Sequence, residues 1–252
     1  MSLAQIRNRM EDLGFKGMLA GLESSLNRVQ KGETSAIEAI DEILESEWKY
    51  RQSRASQSRV TRSKIRPGAS LEDFDVTLNR GISKALLRDL SKFEWSDQGK
   101  SLILVGPTGI GKSYIARSLG LLACERGKTS LFVSFTDFLE HLGLARSSNG
   151  YLKFREKLTR PHILILDDLG MRKFSSQEAE DLRDIIEHRS YGKSTIITTQ
   201  LPVDHWGEVF GDQIILDALV DRLEPAGITI PFDGPSFRGI EKKTVETKRA
   251  KA

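Results

Sequence analysis

A glycine-rich stretch followed by a lysine and a serine is the strongest chemical signal in this chain. It runs from Gly106 to Ser113 as GPTGIGKS and fits the pattern G-x-x-x-x-G-K-[ST]. Gly109 and Gly111 permit the dihedrals that turn backbone N–H groups toward an anion, and a following helix N-terminus adds partial positive charge. We expect Lys112 to reach the β- and γ-phosphates of ATP and the Ser113 hydroxyl to bind Mg²⁺. The residues predicted to contact ATP are Gly106, Pro107, Thr108, Gly109, Ile110, Gly111, Lys112, Ser113 and Tyr114.

Two aspartates at the end of an apolar run form the second signal. The run, ILILDDLG, extends from Ile163 to Gly170, and its four apolar residues predict a buried strand. Ligands of open α/β sheets bind at the carboxyl ends of the strands, where Asp167 and Asp168 would emerge. We expect Asp167 to hold Mg²⁺, directly or through water, and Asp168 to orient or deprotonate the attacking water.

Four further polar residues could reach the same nucleotide. Thr199 and Gln200 end the apolar run STIITTQLP, and they would touch the γ-phosphate or the attacking water if this strand lies between the first two. Arg222 stands near the end of an amphipathic helix pattern and is a candidate arginine finger for the ATP of a neighbouring subunit. Arg238 is a second candidate cation for ATP. The alternatives are a surface salt bridge for Arg222 and a plain surface position for Arg238.

An alternation of strands and helices must position these groups. Helical patterns separate the apolar runs, for example over 112–126 and 175–188. Strands that alternate with helices predict an α/β fold with a parallel sheet sandwiched by helices. The predicted strands are Ser101–Val105, Ser130–Phe135, His162–Leu166, Ser194–Thr199 and Ile228–Phe232.

The chain before residue 100 has helical spacing and no strand pattern. Apolar residues from Ile6 to Leu26 predict two short helices broken near Gly14. Ser35, with Glu38 three residues later, fits a capping box at the start of another helix. The apolar residues that give this helix its period are Ile37, Ile40, Leu44 and Trp48.

A cluster of cations follows these helix patterns. Seven basic residues and no acidic one lie between Lys49 and Arg66. At about 100° per residue, five of the arginines would share an arc of roughly 140° if the stretch is helical. Such a face predicts contact with the phosphates of duplex DNA, with a solvated basic helix as the alternative. The seven residues are Lys49, Arg51, Arg54, Arg59, Arg62, Lys64 and Arg66.

Composition excludes several classes of protein. The 252 residues are 38% hydrophobic and 29% charged with a net charge of +3, so a core is expected and the whole chain is not a polycation. A single cysteine excludes a disulfide framework and a cysteine zinc site. The N-terminus lacks the apolar segment of a signal peptide, and no apolar run reaches about 18 residues. We expect a cytoplasmic protein without a membrane span.

The order of the motifs resembles the AAA+ ATPases of the initiator and helicase-loader branch. Within that branch, the chain is most similar to the IstB helper ATPases, which are encoded beside the transposase in a class of bacterial insertion sequences. The resemblance extends to about Gly239. It is carried by GPTGIGKS, ILILDDLG, TIITTQLP and DALVDRL and, in the front part, by LGFKGMLAGLESSL, EILESEWKYRQSR and SLEDFDVTLNRGISKALLRDL.

The resemblance implies both a fold and an activity. The fold would be a five-stranded AAA+ P-loop sheet preceded by an N-terminal helical domain, and the activity Mg²⁺-dependent ATP hydrolysis. Subunits would form a homo-oligomer with ATP on duplex target DNA, recruit or stimulate the cognate transposase, and come apart after hydrolysis. The expected regions are 1–69 for DNA binding and oligomerisation, 70–240 for the ATPase, and 241–252 for a flexible basic tail.

The same resemblance assigns roles to residues. Lys112 and Ser113 correspond to Walker A, Asp167 and Asp168 to Walker B, Thr199 and Gln200 to sensor 1, and Arg222 to the arginine finger.

Two departures from the AAA+ pattern and one competing function remain. Asp168 stands where these ATPases usually have glutamate, so slow hydrolysis is expected. About a dozen residues follow GITIPFDGPSFRG, too few for a C-terminal helical lid, which leaves a sensor 2 role for Arg238 open. The alternative function is a DnaC-like replicative helicase loader, whose front region would dock a helicase instead of duplex DNA.

Overall fold

The structure is a computed structural model that describes residues 2–77, 81–223, 227–234 and 236–237. The chain divides into two compact units, Met1–Ser58 and Arg59–Ala252. The boundary predicted between 69 and 70 falls inside the second unit and stays a prediction. Within the described residues, no helix has both the length and the apolar character needed to cross a membrane.

The first unit is helical, as its spacing predicts. Gly14, with a φ of 73°, separates α1 from α2. The Ser35–Glu38 capping box is confirmed at the start of α3, where the Glu38 N–H lies 3.2 Å from Ser35 Oγ. The helices are α1 (Leu3–Asp12), α2 (Lys16–Gln30) and α3 (Ala36–Ser63), of which α3 ends in the second unit.

A buried glutamate takes the place of a cap on α2. Phe15 precedes this helix and offers no side-chain acceptor. The carboxylate of Glu47 instead accepts hydrogen bonds from the N–H groups of Gly17 at 2.7 Å and Met18 at 3.1 Å. A Cβ on Gly17 would lie 2.6 Å from the Cα of Glu47, so the close approach of α2 and α3 requires glycine here.

The second unit contains the parallel sheet, which confirms the predicted α/β fold. The strand order is β2-β3-β4-β1-β5, and every pair is parallel. The strands are β1 (Leu102–Val105), β2 (Ser130–Ser134), β3 (Ile163–Leu169), β4 (Ser194–Thr199) and β5 (Ile228–Pro231). All five predicted strands are therefore found, and β4 lies between β1 and β3.

Helices cover both faces of this sheet. Alternate residues of β3 enter different clusters: Ile163 and Ile165 pack with residues of α4 and α6, and Leu164 and Leu166 with residues of α7, α9 and α11. This alternation is the two-residue period of a strand buried on both faces. The helices are α4 (Lys84–Lys92), α5 (Glu94–Asp97), α6 (Lys112–Glu125), α7 (Phe135–Ser147), α8 (Tyr151–Thr159), α9 (Ser176–Arg189), α10 (Gly207–Phe210) and α11 (Gln213–Leu223), with a 3₁₀ turn at Val203–His205.

Candidate nucleotide site

The glycine-rich loop connects β1 to α6 at the carboxyl edge of the sheet. Gly109 and Gly111 have φ values of 80° and 106°, in the region that favours glycine. A Cβ on Gly111 would stand 2.6 Å from the ring of Phe74, so this position has to be glycine for a second reason. Because α6 begins at Lys112, its first N–H groups face the space enclosed by the loop.

Lys112 is folded over the loop that precedes it. Its Nζ donates hydrogen bonds to the carbonyls of Gly106 at 2.7 Å and Pro107 at 2.8 Å, and the residue is 4% exposed. Burial lowers the pKa of Lys112, and the nearby charges of Asp168 and Asp167 act in the opposite direction. A phosphate in the loop would offer this ammonium group a stronger, charged acceptor.

The two aspartates lie near the carboxyl end of β3 and are joined by a threonine from the neighbouring strand. Thr198 Oγ1 donates to Asp167 Oδ1 at 2.7 Å and accepts from the N–H of Asp168 at 2.8 Å. Asp168 has a φ of 61°, and the β3–β4 register shifts between Leu166 and Leu169. Asp167 still pairs with Ser134 of β2, so the irregularity at the two aspartates lies on the β4 side of the strand.

Asp167 has a second contact besides the Thr198 hydroxyl. Arg117 Nη2 on α6 lies 3.6 Å from Asp167 Oδ2, and the guanidinium also lies over the ring of Phe132 at 4.6 Å. Asp167 is 4% exposed, so both contacts lie at the base of the site. Neither Arg117 nor Thr198 belongs to a motif in the sequence; for Thr198 the available signal is its place beside Thr199 at the end of a predicted strand.

Thr199 and Gln200 are placed differently from the neighbouring Thr198. Thr199 is fully buried, and its hydroxyl donates to the Leu169 carbonyl at 3.0 Å and accepts from the Leu201 N–H at 3.1 Å. Gln200 is exposed, and its Nε2 lies 3.4 Å from Met171 Sδ. The hydroxyl that adjoins both aspartates is thus Thr198, one position earlier than expected, and the γ-phosphate role of Thr199 and Gln200 stays a prediction.

A cavity of about 370 Å³ opens between the loop and three aromatic rings. Phe74 packs against Phe237 with centroids 5.8 Å apart and against Tyr114 at 6.1 Å, and the Tyr114 hydroxyl accepts from the Ser70 N–H at 3.1 Å. One end of the cavity is therefore aromatic and the other cationic. The cavity is lined by Asp73, Phe74, Thr108, Gly109, Gly111, Lys112, Ser113, Tyr114, Asp168 and Phe237.

The metal-binding prediction fits one class of ion. Among the described residues, no group of three or more His, Cys, Asp or Glu side chains could hold a metal ion alone. Mg²⁺ commonly takes one or two protein oxygens and completes its shell with phosphates and water. The Ser113 hydroxyl and the Asp167 carboxylate suit such a site, and both remain predicted ligands.

Two further predicted cations, Arg222 and Arg238, come later in the chain. Arg222 is on the surface of α11, where its Nε donates to Glu187 Oε2 of α9 at 2.6 Å. This hydrogen bond raises the pKa of the guanidinium, which is charged with or without the ion pair. Arg238 lies outside the described residues.

Several of the seven predicted DNA-binding residues have structural contacts. In the first unit, Lys49 pairs with Glu45 at 2.8 Å, Arg51 pairs with the buried Glu47 at 2.7 Å, and Arg54 lies over the Tyr50 ring at 5.9 Å.

In the second unit, Arg59 is half-buried and donates to the Cys124 carbonyl at 2.7 Å, while Arg62 is exposed. Lys64 and Arg66 are also exposed, and both lie beyond the end of α3 at Ser63. The expectation that Arg66 shares the helical face is therefore wrong, because the backbone leaves the helix at Lys64, whose φ is 59°.

The whole chain is similar to proteins of bacterial insertion sequences. Residues 8–245 match the family described as IstB-like ATP binding protein. A putative ATP-binding protein in an insertion sequence of Mycobacterium tuberculosis is 33% identical over 92% of this chain and 93% of its own length. A putative insertion sequence ATP-binding protein of Sinorhizobium fredii is 33% identical over 94% of this chain and 96% of its own.

Solved structures are similar to about two thirds of this chain. The DnaC helicase loader is 24% identical with a TM-score of 0.54, covering 64% of this chain and 96% of that chain. DnaI is 21% identical with a TM-score of 0.58, covering 66% and 91%. At these identities the likeness concerns the fold alone.

Proposed function

This chain belongs to the IstB-like ATP binding protein family, and from that premise we propose that it uses ATP to control a protein assembly on duplex DNA during transposition. The observation that carries the proposal is the cavity in which the loop, Lys112 and Asp168 meet beside Asp167. A phosphate-binding loop faced by two carboxylates suits hydrolysis better than transfer to a second substrate.

Each residue of the site has its own role in the proposed hydrolysis. The loop N–H groups and the start of α6 hold the phosphates, and Lys112 exchanges its carbonyl acceptors for them. Ser113 and Asp167 would hold Mg²⁺, which neutralises developing phosphate charge when bound. Asp168 orients the attacking water, and Thr198 fixes both aspartates relative to β4.

The aromatic end of the cavity suits the base of the nucleotide. Phe74 and Phe237 present ring surface and edge near Gly109 and Gly111, and the N–H of Phe237 donates to the Gly109 carbonyl at 2.9 Å. A purine stacked there would keep its triphosphate over the loop. The segment before the sheet thus contributes directly to the nucleotide site.

Asp168 supports a slow reaction. Its side chain is one methylene shorter than the glutamate usual in AAA+ ATPases, so the carboxylate reaches less far toward the attacking water. Slow hydrolysis suits a timing device, in which ATP binding assembles subunits on DNA and hydrolysis releases them. Recruitment or stimulation of a transposase by the ATP-bound assembly completes the proposal and is supported by the insertion-sequence relatives.

The test compares assembly on duplex DNA with and without a nonhydrolysed ATP analogue, by light scattering and electron microscopy. Wild-type protein should form oligomers on duplex DNA with the analogue, and Lys112→Ala should not, because the phosphates lose their main cation. Lys173→Ala, which changes an exposed lysine outside the cavity, serves as the control. A wild-type protein that ignores duplex DNA and binds a replicative helicase as a monomer would instead support the loader function.

A further inference from the structure

Arg117 is a basic residue of α6 that reaches the Asp167 carboxylate from one helical turn beyond the loop. It comes four residues after Ser113 and therefore lies on the same face of the helix. Its Nη2 is 3.6 Å from Asp167 Oδ2. A guanidinium is always charged in proteins. A permanent positive charge is therefore found beside one of the two predicted Mg²⁺ ligands and on the helix face of the other.

The two-residue period of β3 places Asp167 on the side of the sheet that α6 covers. Ile163 and Ile165 belong to the core cluster that contains residues of α6, and Asp167 is the next residue of the strand with the same orientation. Phe132 of β2 is paired with Ile165 and packs against the same cluster. The meeting of Arg117 with Asp167 thus follows from the way in which the helix and the sheet pack.

The ring of Phe132 supports the guanidinium next to Asp167. The Cζ atom of Arg117 lies 4.6 Å from the centroid of this ring, which is within the range of a cation–π interaction. The Arg117 side chain is 36% exposed, so it also has access to water. Because neither the ring nor the water depends on the carboxylate, the guanidinium can leave Asp167 and still have partners.

The two oxygens of Asp167 have different neighbours. Oδ1 accepts a hydrogen bond from Thr198 at 2.7 Å, whereas Oδ2 faces Arg117. The 3.6 Å to Arg117 is longer than the about 2.7–2.9 Å of a direct charge-assisted hydrogen bond, so the guanidinium attracts this oxygen without being fixed to it. Oδ2 is thus the oxygen of this buried carboxylate at which a second cation would have to bind in place of Arg117.

We propose that Arg117 competes with Mg²⁺ for the Asp167 carboxylate and thereby sets the Mg²⁺ concentration that ATP binding requires. The inference rests on the proposed function, which makes Asp167 a ligand of Mg²⁺. Two cations beside one buried carboxylate repel each other, so binding of Mg²⁺ there requires the guanidinium to move toward Phe132 and the solvent. Arg117 is therefore a positioning residue, because it acts on the nucleotide site through Asp167.

The decisive variant is Arg117→Gln in the full chain. Mg²⁺ is titrated into protein and a fluorescent, nonhydrolysed ATP analogue, and the bound analogue is measured, so that the result does not depend on hydrolysis. The Mg²⁺ concentration at half-maximal binding should fall about three- to tenfold, because Mg²⁺ no longer displaces a partly exposed cation. An unchanged or higher value would overturn the inference.

Two further variants identify the positive charge as the cause. Arg126→Gln removes the same charge just after the end of α6, where Arg126 lies over the Phe93 ring at 5.4 Å. Its half-maximal Mg²⁺ concentration should stay within about twofold of wild type. Arg117→Lys keeps a cation and should resemble wild type more closely than it resembles Arg117→Gln. A lysine variant that matches the glutamine variant would overturn the role of the charge.

Thermal melting separates this competition from a structural role. With saturating Mg²⁺ and analogue, Arg117→Gln should melt at the wild-type temperature, because Mg²⁺ then balances the Asp167 charge. A purely structural role for Arg117 would lower the melting temperature under these conditions and leave the half-maximal Mg²⁺ concentration unchanged. That pair of results would overturn the inference.

Variants of Asp167 distinguish this inference from the proposed function. Asp167→Asn should raise the half-maximal Mg²⁺ concentration, and adding Arg117→Gln to it should have no further effect, because the carboxylate in dispute is gone. No effect of Asp167→Asn would defeat the assignment of Asp167 to Mg²⁺ and the inference with it. An increase in Asp167→Asn without a decrease in Arg117→Gln would defeat the inference alone.

Discussion

The Thr198 hydroxyl joins the two aspartates of the nucleotide site. It donates to one carboxylate and accepts from the backbone N–H of the next residue, whose φ of 61° is otherwise unfavourable. A hydroxyl suits both roles because it can donate and accept at once. Thr198 is therefore a positioning residue, and Asp167 and Asp168 remain the groups expected to act on Mg²⁺ and water.

Thr198→Val tests this role with almost no change in side-chain volume. A hydrogen bond to a charged group is worth about 1.5–3 kcal/mol, so we expect ATP hydrolysis to slow about tenfold or more. Binding of an ATP analogue should stay within about threefold, because the loop and Lys112 are untouched. Thr198→Ser keeps the hydroxyl and should retain most activity. Steady-state kinetics that show equal kcat for the valine variant and wild type would contradict the positioning role.

Helix α9 connects the sheet to the surface that carries Arg222. Its N-terminus has a complete capping box, in which the Ser175 N–H donates to Glu178 at 2.8 Å and the Glu178 N–H lies 3.3 Å from Ser175 Oγ. Arg172 also pairs with Glu178 at 2.6 Å. At the other end, α9 presents Glu187 to Arg222, so the stability of this helix bears on the placement of the candidate finger.

The capping glutamate predicts a pH dependence of stability. The hydrogen bond from Arg172 is the largest influence on the pKa of Glu178, which is lowered from 4.5 to about 2. A lowered pKa stabilises the fold above the unfolded value of 4.5, and this contribution is lost as the pH falls toward 2. Glu178→Gln should therefore melt about 2–4 °C lower than wild type at neutral pH, with the difference shrinking below pH 4.5.

The measurement is a series of thermal melts from neutral to acidic pH. Glu180→Gln, at an exposed glutamate of the same helix, controls for the loss of one negative charge. A melting difference that stays constant across the series would refute the assigned cause.

At the scale of the whole molecule, the nucleotide cavity is built by one chain but lacks a cation contributed by α11. Arg222 is paired with Glu187 on the surface of its own unit. A surface arginine can serve as a finger only toward a neighbouring subunit, so the proposed activity depends on assembly.

The apolar residues that give α3 its period lie on its exposed side, namely Ile37, Ile40, Leu44 and Trp48. The buried face of this helix is formed instead by Ala39, Ile43 and Glu47.

Mixing two inactive variants tests action between subunits. Arg222→Ala should bind ATP but lose most hydrolysis, and Asp168→Asn should be inactive because its site lacks the carboxylate. In an equal mixture, about a quarter of randomly formed interfaces join an intact Asp168 to an intact Arg222, and that fraction of activity should return. Phosphate release measures the result.

Glu187→Gln is the matched control for the ion pair. It breaks the same contact while keeping the arginine, so it should hydrolyse ATP at close to the wild-type rate. Equal losses in Glu187→Gln and Arg222→Ala, with no recovery on mixing, would show that the arginine only joins α11 to α9.

The sequence by itself determined the nucleotide loop, the five strands, the paired aspartates and the helical front, because each depends on a local pattern of glycine, polarity or period. It also supplied the resemblance that the family match confirms. Only the tertiary structure decided which polar groups meet. Thr198 reaches Asp167 across 31 residues of sequence through strand order, and Phe74 reaches Gly111 through packing of a segment without a periodic pattern.

The charged residues also separate what the sequence determines from what the tertiary structure decides. The run of seven cations was visible in the sequence, yet Arg51 and Arg59 turned out to bind the buried Glu47 and the Cys124 carbonyl. Net charge is a property of composition, whereas the partner of each charge depends on how the helices form and pack.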